Sequence, residues 1–96
     1  MVRRRQHVRP SEWLTAGHWP QGRLASDAPY EVHVARAIAI ELHTALEGRS
    51  TRALAADANL AHTTVYDLLA GRTYGDVITV ARLEAALGRP LWPHHS

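Results

Sequence analysis

The chain has 96 residues, no cysteine, and eleven arginines against nine acidic residues, for a net charge of +2. That length supports one modest hydrophobic core, and the lack of cysteine excludes a disulfide framework, so a single cytoplasmic domain is predicted. No apolar run approaches the ~20 residues of a membrane helix. The start, MVRRRQHVRP, has no apolar run behind its charges and is not expected to be a signal peptide.

Positive charge is concentrated at the N-terminus. Residues 1–9 hold four arginines and no acid, and residues 10–96 hold seven arginines and nine acids, so the two parts carry +4 and −2. The four arginines are Arg3, Arg4, Arg5 and Arg9. Without apolar partners such a run cannot offset its ordering entropy, which predicts a solvated tail. The alternative is an arm that lies in a DNA minor groove.

A tryptophan-containing segment follows. Residues 10–17, PSEWLTAG, are predicted to form one or two helical turns that Ser11 caps and Gly17 stops. Trp13 and Trp19 are a heavy apolar load for so short a segment. They must therefore be buried against the body of the chain or at a subunit interface, and they are also the surface on which a protein partner would bind.

The first long helix is predicted to begin at a cap on Ser26 or Asp27, with Pro29 inside its first turn. It runs to about Glu47, where Gly48 ends it. Its inner stripe, read from helical spacing, comprises Ala35, Ile38, Ala39, Leu42, Ala45 and Leu46. His33 and His43 are about 15 Å apart along this helix, too far to share a metal ion.

Two short helices and a tight corner make up residues 51–70, TRALAADANLAHTTVYDLLA. Ser50 caps the first, which ends at Ala58, and Asn59 can adopt the left-handed conformation that reverses the chain. The second is predicted from His62 to Ala70, with Gly71 as its stop. Inner positions at helical spacing are Leu54, Ala55 and Ala58 on the first helix, and Val65, Leu68 and Leu69 on the second. The small Ala55 allows the two helices to cross closely.

Asp76 is predicted to cap a fourth helix that runs to Leu87, with Gly88 and Pro90 closing it. Its inward residues are expected to be Val77, Val80, Leu83 and Leu87, whereas Ile78 suits a dimer contact. Leu91 and Trp92 are expected to fold back over the core. The predicted fold is therefore all-α, a compact four- to five-helix bundle. Its parts are an extension (residues 1–28), a domain (29–92) and a tail (93–96).

Residues 32–92 resemble the helix-turn-helix of the phage Cro and repressor (XRE-like) proteins. The resemblance rests on Leu54-Ala55, Asn59-Leu60, Thr64-Val65, Leu68-Leu69, Gly71-Arg72, Arg82-Leu83 and Ala86-Leu87-Gly88. It implies a bundle of the phage-repressor type that binds DNA through the helix at 62–70. Two positions depart from the family: the corner, most often Gly, is Asn59, and the usual Ser or Thr cap of the recognition helix is Ala61.

This resemblance implies two sets of DNA contacts. Base edges would be read by His62, Thr63, Tyr66 and Asp67, of which Asp67 can only accept a hydrogen bond, from cytosine N4. The DNA backbone would be held by Arg49, Arg52, Thr64, Arg72 and Thr73. The competing interpretation is an ordinary solvated helix face.

Catalysis has little support in the sequence, because a cysteine nucleophile, a glycine-rich phosphate loop and the HExxH and GxSxG motifs are all missing. We expect neither an enzyme nor a bound metal or cofactor. Two hypotheses remain. One is a bacterial transcriptional regulator, a repressor, that binds double-stranded operator DNA as a homodimer at the nucleoid. The other is a helix-turn-helix scaffold for protein contact, such as an antitoxin-like module, with Trp13 and Trp19 as its partner surface.

Overall fold

A 3₁₀ turn, a two-stranded sheet and four α-helices follow one another along residues 8–93, the part of the chain that the computed structural model describes. The 3₁₀ turn spans Pro10–Trp13, and the strands are β1 (Leu14–Ala16) and β2 (Arg23–Leu24). The helices are α1 (Tyr30–Ala45), α2 (Thr51–Ala58), α3 (His62–Ala70) and α4 (Val77–Leu87). The molecule is thus mostly helical, with one small antiparallel sheet in which Leu14 pairs with Leu24 and Ala16 with Arg23.

The N-terminal segment differs from the helix predicted for residues 10–17. Its helical part stops at Trp13, and the chain continues as β1. So short a segment cannot sustain a helix, and its backbone finds partners across the turn: the Ala25 N–H donates to the Trp13 carbonyl at 2.8 Å. The turn itself needs Gly22, because a Cβ there would lie 2.5 Å from the Ala16 carbonyl oxygen. The all-α prediction is therefore wrong for this segment.

Helix α1 is shorter than predicted at both ends. It begins at Tyr30 behind Pro29, which is extended (φ −69°, ψ 162°) and outside the helix, and it ends at Ala45. The predicted start at Ser26 or Asp27 is wrong because a proline disfavours helical geometry in the residue before it. Val32, absent from the predicted inner stripe, is fully buried.

The core lies where α1, α2, α3 and α4 meet. Its buried side chains are Ile38, Leu42, Leu54, Ala55, Ala58, Val65, Leu68, Leu69, Val80, Leu83 and Leu91. The Glu84 carboxylate accepts the backbone N–H groups of Leu91 (2.6 Å) and Trp92 (3.1 Å), which holds the end of the chain over this core. The predicted return of Leu91 and Trp92 is confirmed. None of the helices within residues 8–93 has both the length and the apolar character needed to cross a bilayer.

The corner between α2 and α3 has the predicted geometry. Asn59 is left-handed (φ 59°, ψ 48°), and the Leu60 N–H donates to the Ala55 carbonyl at 2.8 Å. Arg82 of α4 secures the corner from outside, because its Nη1 donates to the Asn59 carbonyl at 3.2 Å. Ser50 caps α2 by accepting the Ala53 N–H at 3.0 Å.

Ala55 is only 2% exposed in this corner, so a larger side chain has no room. We expect Ala55→Leu to lower the free energy of unfolding by about 3 kcal/mol through overpacking. Ala56→Leu adds the same atoms to the same helix at an exposed position and should change stability by less than about 0.5 kcal/mol. Urea titrations of the two variants measure the contrast, and equal losses would mean that α2 and α3 do not cross closely at Ala55.

Helix α4 has the predicted bounds but not the predicted inner face. Val77 is 69% exposed, so its inward placement is wrong, and Thr79 is buried beside Val80 and Leu83 in its place. Asp76 caps the helix, and its carboxylate accepts the Thr79 N–H at 2.7 Å. That hydrogen bond holds the pKa of Asp76 below its ordinary value.

This lowered pKa makes part of the stability depend on pH. A carboxyl whose pKa is depressed by folding stabilises the native state above its unfolded pKa, roughly pH 4, and loses that effect as the pH falls through the lower native value. Asp76→Asn keeps a capping side chain but cannot ionise. The difference in Tm between the wild type and Asp76→Asn should therefore be largest above pH 4 and shrink toward pH 2, as measured by circular dichroism. A difference that does not change with pH would contradict this assignment.

Candidate functional site

One side of α3 is buried and the other is open. Val65, Leu68 and Leu69 are each at most 8% exposed, and they form the inner side. The outer face of α3, which we define as His62, Thr63, Tyr66 and Asp67, is exposed at its first three positions and half-buried at Asp67. The four predicted base-reading residues therefore lie together on one accessible surface.

A cleft of about 420 Å³ opens between the first turns of α2 and α3. Its walls are Ser50, Thr51, Arg52, His62, Thr63 and Tyr66. It brings Arg52, one of the predicted backbone-binding residues, next to three residues of the outer face of α3. The sequence predicts that these residues lie on two helices, but it does not predict that they share a concave surface.

The start of α3 lacks a side-chain cap. Ala61 occupies the N-cap position in an extended conformation and has no side-chain acceptor, whereas Ser50 caps α2. The first backbone N–H groups of a helix need partners from outside the helix and carry part of its positive dipole. This end of the cleft is therefore suited to a hydrogen-bond acceptor, and an anionic one most of all.

The other predicted backbone-binding residues are in different environments. Arg49 forms an ion pair with Asp57 and does not line the cleft. Thr64 is half-buried, and Thr73 accepts the Gly75 N–H on its hydroxyl at 3.1 Å. Arg52 has no acidic partner within 4 Å among residues 8–93, so its charge is the least offset of this group.

Arg72 lies against the outer face of α3. Its Nη1 is 3.6 Å from the Asp67 carboxylate, and its Cζ is 5.1 Å from the centroid of the Tyr66 ring. Both charged side chains are about half exposed. Arg72 is thus oriented by Asp67 and Tyr66 while about half of its side chain stays exposed.

The N-terminal segment docks at the far end of α3. The Ser11 N–H donates to the Gly71 carbonyl at 2.9 Å, and the Trp19 ring packs so closely on Gly71 that a Cβ there would lie 2.7 Å from it. Trp13 is 6% exposed, so of the two predicted alternatives the structure shows burial of Trp13 against the body of its own chain. These contacts are beyond the last residue of α3 and leave its outer face open.

Tyr74 contacts the chain at Val8, near the end of the predicted N-terminal arm. Its hydroxyl donates to the Val8 carbonyl at 2.8 Å, and burial raises the pKa of this phenol above its ordinary value. Arg9 is exposed beside Val8. The other predicted arm residues, Arg3, Arg4 and Arg5, lie outside the described residues. Nothing in the sequence signalled the contact between Tyr74 and Val8.

Across the described range 8–93, no three His, Asp or Glu side chains are grouped so that they could hold a metal ion. The His43 Nε2 is 3.3 Å from the Leu69 carbonyl oxygen, which accounts for that side chain as a link between α1 and α3. No family model, curated protein or solved structure matches the chain.

Proposed function

We propose that this chain is a sequence-specific DNA-binding transcriptional regulator, a bacterial repressor, that places α3 in the major groove of operator DNA. The observation that carries the proposal is the open outer face of α3 together with the adjoining cleft and Arg52. A helix that its partner helix leaves exposed, with polar side chains at its start, has the geometry that enters a DNA major groove.

Individual roles follow from side-chain chemistry. His62 can donate to a guanine acceptor, and Thr63 can hydrogen-bond or place its methyl group against a thymine methyl. Arg52 is assigned to a phosphate, and the backbone N–H groups after Ala61 to a neighbouring phosphate at the helix N-terminus. Arg3, Arg4 and Arg5 would add phosphate or minor-groove contacts, since the rest of the chain carries a net negative charge.

The proposal includes the XRE-like helix-turn-helix and a symmetric homodimer. Support for the first is the left-handed Asn59 corner between two short helices. Support for the second is an apolar pair at the start of α4, Val77 and Ile78, which are 69% and 65% exposed. Two copies would bind half-sites about one helical turn apart, because a single small module seldom reaches specific affinity.

The test is selection of bound sequences from a random duplex pool by the full chain at moderate salt. The proposal predicts an enriched palindrome whose half-sites are spaced by about one turn. Its affinity should fall with salt at a slope of about −0.9 per phosphate neutralised, and removal of residues 1–7 should flatten that slope. A pool that stays random after selection would reject DNA binding and leave the protein-contact alternative.

That alternative, a scaffold for a protein partner, is favoured by the same exposed Val77 and Ile78. Trp13 and Trp19, which the sequence predicted as the surface for a protein partner, contact the body of the chain instead. Sedimentation of wild type and of Val77→Ser/Ile78→Ser distinguishes a self-interface from a surface for another protein. If Val77 and Ile78 form a self-interface, the double variant should sediment with a lower mass than wild type. If they bind another protein, the two masses should be equal.

A further inference from the structure

Arg72 owes its position to the way α3 ends. Gly71 is left-handed (φ +72°), the Gly71 N–H donates to the Leu68 carbonyl at 3.3 Å, and the Arg72 N–H donates to the Asp67 carbonyl at 2.9 Å. This pair of bonds is the Schellman closure, which brings the second residue after the helix beside the fourth residue from the helix end. That contact is commonly apolar, but here it joins a guanidinium and a carboxylate.

Tyr66 supplies the surface on which the guanidinium lies. The Arg72 Cζ is 5.1 Å from the ring centroid, a distance at which a cation is attracted to an aromatic face. The Asp67 carboxylate is 3.6 Å from Nη1. Since Tyr66 and Asp67 both belong to the outer face of α3, Arg72 is added to that face from the following loop.

The backbone that carries Arg72 is held from its other side as well. The Gly71 carbonyl accepts the Ser11 N–H, and the Trp19 ring covers the Gly71 Cα. Arg72 therefore extends from a fixed point of the chain. A long side chain loses less entropy on binding when its backbone and its orientation are already fixed.

Arg72 could contact either of two DNA groups, a phosphate or a guanine edge, and charge distinguishes between them. The pair formed with Asp67 has no net charge, so a phosphate is attracted by the guanidinium and repelled by the carboxylate at similar range. The guanine edge is uncharged and offers two acceptors, O6 and N7, which match the forked donors of arginine. A guanidinium has five N–H donors, and a single carboxylate at this distance cannot engage all of them.

We infer that Arg72 reads a guanine in the major groove and that Asp67 is the positioning residue that aims it. This rests on the proposed function and changes two of the DNA contacts expected from the sequence. Arg72 moves from the phosphate backbone to a base edge, and Asp67 supports an arginine and does not itself accept a hydrogen bond from cytosine.

The experiment repeats the selection from a random duplex pool with full-length wild type, Arg72→Ala, Arg72→Lys and Asp67→Asn, and measures the salt slope of each. Arg89→Ala is the matched control, because Arg89 and Glu41 form an ion pair of similar exposure (44% and 46%, against 48% and 41% for Arg72 and Asp67) away from the cleft. Thermal unfolding of every variant reports whether it folds.

Arg72→Ala should lose the preference for guanine at one position of each half-site, by about 5- to 150-fold, while preferences elsewhere remain. Arg72→Lys should keep part of that preference, because an ammonium can donate to O6 or N7 but lacks the planar fork that matches both. Asp67→Asn should weaken the guanine preference and steepen the salt slope by about 0.9, since the exposed guanidinium can then hold a phosphate. Arg89→Ala should leave the sequence profile unchanged.

Three results would overturn the inference while DNA binding stands. They are an equal loss of affinity for every sequence in Arg72→Ala with a shallower salt slope, a full guanine preference in Arg72→Ala, and an unaltered profile in Asp67→Asn. Failure of wild type to enrich any duplex is a different result, because it rejects the proposed function and this inference with it.

Discussion

Gly71→Ala should destabilise the protein by about 2–5 kcal/mol, the largest stability effect we expect from a single methyl group. Two costs combine at this position. A left-handed φ of +72° is unfavourable for alanine, and the new Cβ would lie 2.7 Å from the Cδ2 and Cε2 atoms of Trp19. The neighbour is a half-buried ring and not the flexible end of a side chain, so it cannot move aside without loss of packing.

Gly88→Ala is the matched control for this substitution. Gly88 ends α4 with nearly the same φ, +69°, but nothing lies within 4 Å of a Cβ built there. It should therefore lose only the backbone part, about 1–2 kcal/mol. At about 5 °C per kcal/mol for a domain of this size, the Tm of Gly71→Ala should fall by roughly 10–25 °C and that of Gly88→Ala by roughly 5–10 °C.

A double variant isolates the contact itself. Trp19→Ala removes the ring that the new methyl group would meet, so Gly71→Ala should cost less in the Trp19→Ala background than in wild type. Urea titrations of the four proteins measure this coupling. If the costs of the two substitutions are additive, or if Gly71→Ala and Gly88→Ala lose the same stability, then Trp19 does not pack on the end of α3.

Arg52→Ala should lower the affinity for operator DNA about tenfold and reduce the salt slope by about 0.9, the effect of losing one charge-assisted phosphate contact. Arg52 lines the cleft beside His62 and Thr63 and has no acidic partner within 4 Å in the described part of the chain. Its charge is therefore available to a phosphate that approaches the outer face of α3.

Arg49→Ala removes the same charge three residues earlier and is the control for net charge. Arg49 is paired with Asp57 and does not line the cleft. Its replacement should change DNA affinity by less than about twofold, in line with the small energies of exposed ion pairs. Fluorescence anisotropy of a labelled operator duplex at several salt concentrations compares the two variants. Equal losses would show that DNA responds to overall charge and not to the cleft.

Short-range signals in the sequence are sufficient to predict α2, α3 and the corner between them. A serine cap, a left-handed asparagine and a glycine stop each act within one helical turn, and they define α2 and α3 at the predicted residues. The segregation of outer and inner positions on α3 follows from helical periodicity alone. These features could be predicted because no distant part of the chain is needed to determine them.

Contacts between distant residues were not predictable in the same way. Strands of three and two residues are too short to show a period of two, and their pairing depends on a partner across a turn. The contact between Trp19 and Gly71 joins positions 52 residues apart that share no pattern. The rotation of α4 was misjudged because Val77 and Ile78 are adjacent and apolar, yet packing buries Thr79.

The environment of Arg72 is predictable from the sequence only in part. Its position beside Asp67 follows from the Schellman closure at Gly71, which glycine at that position predicts. Its contact with Tyr66 depends on the side-chain conformations of both residues and is visible only in the structure. The sequence alone suggests that Arg72 contacts the DNA backbone, whereas we propose that it reads a base, because the carboxylate of Asp67 repels a phosphate.

The most direct test of the whole account is to map the DNA-binding surface by backbone amide chemical shifts. The ¹⁵N-labelled full-length protein would be titrated with the selected operator duplex. Shifts should concentrate at Ser50, Thr51 and Arg52 and at the outer face of α3, with little change at the separate surface formed by Ile40, Glu41 and Arg89. Shifts that cluster at Ile40, Glu41 and Arg89, or that spare residues 62–67, would contradict the claim that α3 meets the duplex.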